Sequence, residues 1–236
     1  LKDDREIYED AEAKREILKE YTGLCRHHIT GKKIRVPVCS LIENLMHKAD
    51  WIMEHIRKTE WILGEDGEGW FNSYYDNHGS KAEGVQKGSV RMMLTGQVFT
   101  IMSGTATEEQ TAEITKAADA YLYKKDAGGY RLNTDFGELK TDLGRMFGFA
   151  YGQKENGAVF SHMTVMYGNA LYQRGFVREG YKALHTLYEQ SADFERSRIY
   201  PGIPEYFNAK GRGMYHYLTG AASWFMLTVV QQMFGI

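Results

Sequence analysis

Gly152-Gln-Lys-Glu-Asn-Gly-Ala-Val-Phe-Ser-His162 sets a cation, a carboxylate, two glycines and a histidine in one polar loop directly before an apolar helical segment. Loops held by a rigid helical scaffold are where binding and chemistry concentrate. The arrangement recurs at Arg212-Gly-Met-Tyr-His-Tyr-Leu-Thr219-Gly220-Ala-Ala-Ser-Trp224, another glycine-rich run that opens a hydrophobic helix. Free backbone N–H groups at helix starts attract anions, so the two runs together suggest a phosphate or sugar site.

Around these runs, 3.6-residue periodicity dominates. With three prolines and almost no alternation of β-branched residues, the pattern predicts an all-α protein, with helices near 5–29, 40–60, 89–103, 107–123, 161–175, 177–193 and 219–234. Ser40 with Glu43 and Thr107 with Gln110 match capping boxes, and Ser89 and Ser161 are placed as simple N-caps. Long loops at about 61–88, 124–160 and 194–218 hold most of the glycine, tyrosine and isolated charge. Loops of that length are uncommon unless functional, and their alternation with helices fits a toroid of helix hairpins. No period of 34–47 residues marks a helical repeat.

At 236 residues and 43% hydrophobic content, the chain has material for a sizeable core. Its 29 basic and 31 acidic residues are spread along it, which argues against nucleic acid and against an anionic-membrane surface. Cys25 and Cys39 lack zinc or disulfide-framework spacing, and no metal or cofactor is called for. A reducing, cytoplasmic setting is the simpler expectation. The apolar run 221–236 is broken by Gln231 and Gln232, short of a membrane span. Leu1 at the start and an apolar helix at the end read as a piece of a longer protein.

Three clusters are chemical candidates. In Gly69-Trp-Phe-Asn-Ser-Tyr-Tyr75-Asp76-Asn77-His78-Gly79, a carboxyl sits among aromatic rings. Desolvation would raise its pKa toward that of a general acid, or Asp76-Asn77 simply turns the chain. In Lys154-Glu155-Asn156-Gly157 with His162, Glu155 would accept from sugar hydroxyls and His162 would donate to an oxyanion at a helix start. The alternative is a solvated turn beside a core histidine. Thr219-Gly220 is either an anion cradle or a small-residue packing site. Arg131, Glu205 and Tyr206 lie in the remaining polar and aromatic clusters, as substrate ligands or as ordinary surface ion pairs.

The order Gln153-Lys-Glu-Asn-Gly-Ala-Val-Phe-Ser-His162, then Tyr217-Leu-Thr-Gly-Ala-Ala-Ser-Trp224, resembles the inverting disaccharide and oligosaccharide phosphorylases of glycoside hydrolase family 94. The resemblance covers about residues 40–236 and implies the later part of an (α/α)6 barrel, with 1–39 a helical lead-in. It implies that His162, Thr219 and Gly220 hold inorganic phosphate as co-substrate, and that Glu155 lines the sugar subsite at the reacting carbon. Asp76 is matched to the general acid, although the family's Asp-Trp-Asn-Asp pattern is replaced here by Ser-Tyr-Tyr-Asp-Asn. Lys154, Tyr75, Arg131, Glu205 and Tyr206 are then substrate-binding candidates. The run Asn72–Gly79 looks most like the 1,2-β-oligoglucan phosphorylases, so the implied partners are a β-1,2-linked gluco-oligosaccharide and phosphate, in a parent that forms homodimers. A phosphorylase-like domain of a cyclic β-1,2-glucan synthase would fit the same motifs. A non-catalytic carbohydrate-binding helical domain is the alternative from another class.

Overall fold

The computed structural model describes residues 7–8, 10–27, 31–86, 88–200, 202–216 and 220–236. It divides into two compact units, Leu1–Met53 and Glu54–Ile236. In the first, the Asp10 carboxylate caps the helix Ala11–Cys25 by accepting from the N–H groups of Glu12 and Ala13, both at 2.9 Å. No residue of that helix is buried. A second helix, Val38–Thr59, begins in this unit, and Tyr8 meets Trp51 edge-on at 4.9 Å.

The second unit carries the helices Leu94–Met102, Glu108–Ala117, Ser161–Gln173, Val177–Ala192 and Gly220–Thr228. Its main core gathers Trp70, Phe71, Leu94, Ile101, Ile114, Leu122, Tyr130, Tyr167 and Leu171, all essentially inaccessible to solvent. Each such side chain contributes roughly 1.5–3 kcal/mol of burial free energy. Ser161–Gln173 and Val177–Ala192 form a hairpin because Gly175 takes a left-handed φ of 83°. Phe176 N–H then reaches Leu171 C=O at 2.9 Å and Gly175 N–H reaches Tyr172 C=O at 3.0 Å, the two bonds of a Schellman stop. Gly168 and Gly180 let the two helices touch backbone to backbone, since a Cβ on Gly180 would lie 3.0 Å from the Gly168 carbonyl oxygen.

The chain is mainly helical, and the capping box of Thr107 and Gln110 forms with both of its bonds. The all-α expectation needs one correction: nine strands of two or three residues punctuate the described residues. Ser89–Arg91 pairs antiparallel with Gly84–Gln86 instead of starting a helix, and the helix begins at Leu94. Ser40 lies inside the Val38–Thr59 helix and Ser161 inside its own, so neither is a cap. The strands Val159–Phe160, Tyr206–Phe207 and Gly213–Met214 form one small sheet, and that sheet organises the site. Among the described residues no helix is long and apolar enough to cross a membrane.

Candidate active site

The loop before His162 is fastened from below. Gly152 and Gly157 both have left-handed φ, 83° and 72°. Neither has room for a side chain: a Cβ would meet Ala209 Cβ at 2.5 Å and Tyr151 Cε2 at 2.1 Å respectively. Gly152 N–H closes the turn onto Asn156 C=O at 2.6 Å. The buried Asn156 side chain donates to Phe149 C=O at 2.8 Å and accepts from Asn133 Nδ2 at 3.2 Å. Asn133, wholly buried, accepts from Gly157 N–H through its Oδ1 at 2.7 Å. Lys154, at the tip, is held at a φ of 43°, the sort of backbone strain that persists only where neighbours enforce it.

From this loop Glu155 faces a cleft of about 590 Å³ that is also lined by Glu60, Ser73, Tyr75, Phe99 and Asn133. Glu155 Oε1 lies 3.1 Å from the Arg145 guanidinium. Its Oε2 is buried without a partner among the described residues. Across the cleft, Tyr75 donates its hydroxyl to Glu60 at 2.7 Å, and Glu60 also accepts from Asn72 Nδ2 at 3.0 Å. Tyr75 and Glu155 therefore share one cavity.

His162 is set by the three-stranded sheet. Phe160 pairs with Tyr206, and Ser161 N–H donates to Glu205 C=O at 2.9 Å just as the helix begins. The Nε2 atom of His162 is buried with no hydrogen-bond partner among the described residues, and burial lowers the imidazole pKa. Gly220, the first residue of the Gly220–Thr228 helix, presses against this ring: a Cβ there would lie 2.8 Å from Cε1 and 3.0 Å from Nδ1. Trp224, one turn on, tilts toward the imidazole at 6.0 Å. Thr219 lies outside the described residues.

The remaining candidates gather nearby. Lys154 Nζ sits 4.4 Å above the Tyr215 ring, and the Tyr215 hydroxyl holds the ammonium pKa above its usual range, with Glu205 adding to the effect. Tyr206 is buried, which raises its phenol pKa, and it feels the charges of Lys154, Glu205 and Glu155. The Arg131 guanidinium stacks over Tyr151 at 5.2 Å. Its Nε is buried and unpartnered among the described residues.

Asp76 stands apart from this group. Its Oδ1 accepts from the N–H groups of His78 and Ser80, both at 2.9 Å, and Gly79 N–H returns to its carbonyl at 3.0 Å. The Ser80 amide leads in holding its carboxyl below the usual carboxylate range. A general acid needs the opposite shift; of the candidates only Glu155 and Tyr75 line the cleft, and Asp76, His162, Lys154, Arg131, Glu205 and Tyr206 lie outside its lining. In this structure Asp76 is a turn-forming carboxylate.

Asn133, Glu60 and Arg145 were not singled out as site residues by the sequence. Their partners lie 23 and 24, 12 and 15, and 10 positions away, so no local spacing marks them.

Residues 16–235 match the family described as "Glycosyl hydrolase 94 superfamily, catalytic domain". The chain is 27% identical over 205 residues to solabiose phosphorylase of Paenibacillus borealis, covering 83% of this chain and 26% of that protein. It is 26% identical over 183 residues to N,N'-diacetylchitobiose phosphorylase of Vibrio proteolyticus, covering 74% and 23%. Cellobionic acid phosphorylase of Neurospora crassa is 24% identical over 158 residues, covering 62% and 20%. The chain thus spans about a quarter or less of the length of these relatives.

Proposed function

Since the chain belongs to the glycosyl hydrolase 94 superfamily, we propose that it is the part of a glycoside phosphorylase's (α/α)6 catalytic barrel that holds inorganic phosphate and one wall of the saccharide site. The observation that carries this reading is the buried Nε2 of His162, without a partner among the described residues, against Gly220 at a helix start. A polar atom buried without a partner is costly, and an anion accepting from it removes the cost. Gly220 leaves room for the anion to approach the backbone and supplies an N–H at the positive end of a helix. The Thr219 hydroxyl is a third donor in this proposal.

Phosphate held there would attack the anomeric carbon of a β-linked glucosyl unit from the face opposite the leaving oxygen. A phosphate oxygen bonds to C1 as the glycosidic C1–O bond breaks, giving α-glucose 1-phosphate with inversion, and the proton that the leaving oxygen takes up is balanced by the one hydrogen phosphate gives up. A hydrolase of this stereochemistry needs a second carboxylate to activate water, whereas phosphate arrives as its own nucleophile. His162, neutral because burial lowers its pKa, donates from Nε2–H, and the arriving negative charge strengthens that bond. Glu155, with one free oxygen, accepts from the sugar hydroxyls, while Lys154, Arg131, Glu205 and Tyr206 surround the saccharide and Tyr75 offers it a ring face. The proton for the leaving oxygen is not assigned to Asp76.

A β-1,2-linked gluco-oligosaccharide is the substrate we favour, on the pattern of Asn72–Gly79. The full-length protein supplied with α-glucose 1-phosphate and, separately, glucose, sophorose, cellobiose and laminaribiose tests both levels. Phosphate release with sophorose and a new β-1,2 bond by NMR is the expected outcome. Release with another acceptor alone discards the linkage, and release with none discards the phosphorylase reading.

A further inference from the structure

Glu83 is 3% exposed and is used by nothing in the proposed reaction. Its carboxylate nevertheless has a full set of donors from two elements. Oε1 accepts from Ser73 N–H at 2.8 Å and from the Ser73 hydroxyl in a short bond; Oε2 accepts from Met93 N–H at 2.8 Å. Its own N–H donates to Asn72 Oδ1 at 3.2 Å. Ser73 and Met93 both line the cleft that Glu155 faces, and Leu94 starts the helix that forms its floor.

We propose that Glu83 is a positioning residue that fixes the Ser73–Tyr75 wall of the cleft against the start of the Leu94–Met102 helix. The wall is stitched at every second residue. Phe71 exchanges two bonds with the side chain of Gln97, both at 2.8 Å; Ser73 is held by Glu83; Tyr75 is held by Glu60. An independent feature demands the same close seating: a Cβ on Gly96 would lie 2.1 Å from Ser73 Cβ, so the wall rests directly on the helix backbone. A carboxyl group, with one oxygen toward Ser73 and the other toward Met93, accepts from both amides at once, whether ionised or with its proton on the Ser73 hydroxyl side. A glutamine at 83 would turn its NH2 against either the Ser73 or the Met93 amide and leave that donor unsatisfied.

The consequence for catalysis rests on the phosphorylase reading, so the test has a second readout that does not. In the full-length protein, amide exchange of residues 73–75 and 93 should be slow and should rise about tenfold or more in Glu83→Gln, while that of the Ser161–Gln173 helix stays put. The oligosaccharide KM should rise about tenfold with phosphate KM within twofold, since the His162 side of the site is untouched. If Glu83→Gln does not fold, Glu83→Asp, which keeps the carboxyl but falls short of one donor, should give the same split at smaller size. Exchange rising evenly throughout the protein, or an unchanged oligosaccharide KM in a turning-over enzyme, overturns the proposal. Absence of turnover in the wild type removes the phosphorylase reading, and the exchange pattern still judges Glu83.

Discussion

A Cβ atom at Gly220 would lie 2.8 Å from Cε1 of His162, closer than carbon atoms approach without displacement. The imidazole has little freedom to yield, being set at a helix start with Trp224 on one side. Gly220→Ala must therefore shift either the ring or the first turn of the Gly220–Thr228 helix. Both carry proposed phosphate donors, so phosphate KM should rise about tenfold or more, the effect of one charge-assisted hydrogen bond lost. Oligosaccharide KM should change little. Initial-rate kinetics with each substrate varied in turn reads the difference, and equal shifts in both would separate Gly220 from phosphate binding.

Asp76 yields a prediction opposite to its sequence reading. Both backbone bonds converge on its Oδ1, and an asparagine keeps that acceptor. Asp76→Asn should retain kcat within about threefold, whereas a general acid would cost about a hundredfold or more. Asp76→Ala, which deletes the acceptor, should loosen the 76–80 turn and show as faster local amide exchange. A hundredfold loss in the asparagine variant would restore the acid role.

The Asn133 amide links the strand-to-helix segment at 130–134 to the loop that presents Glu155. Asn133→Ala would leave the Gly157 N–H buried and unpaired and would remove the bond to Asn156. A buried donor left unsatisfied costs about 1–3 kcal/mol, so thermal unfolding should occur several degrees lower. Because Glu155 sits at the tip of the loosened turn, kcat/KM for the saccharide should fall further than the loss of folded protein explains. A variant with normal kcat/KM per folded molecule would mean that Glu155 is oriented by Arg145 alone.

These contacts show where the sequence was legible and where it was not. Helix positions could be read because 3.6-residue apolar periodicity and caps such as Thr107 with Gln110 act within a few residues. The two glycine-rich helix openings could be read for the same reason. Ser89 was misplaced because a strand of three residues, Ser89–Arg91, is too short to show alternation. Asp76 reads two ways because an acidic residue among tyrosines looks alike whether its carboxylate faces a ligand or its own turn; the Ser80 amide that it accepts from is invisible as a residue type. Glu83 and Asn133 escaped notice because their meaning lies in backbone donors 10 to 24 positions away.

Glu83 also gives the protein a stability component of defined pH sign. Burial pushes its carboxyl from 4.5 up to about 7; the bonds from Ser73 and Met93 pull against that rise, and the Glu60 carboxylate adds to it. The folded chain then binds the proton more tightly than the unfolded chain, so this contribution is fully present below about 4.5 and is lost as pH rises through about 7. A shift of that size corresponds to about 3 kcal/mol. Thermal unfolding of the wild type should therefore move to lower temperature between pH 4.5 and 7 relative to Glu83→Gln, whose amide does not titrate. Parallel Tm profiles for the two proteins would mean that Glu83 is ionised throughout this range, held so by the Ser73 and Met93 donors.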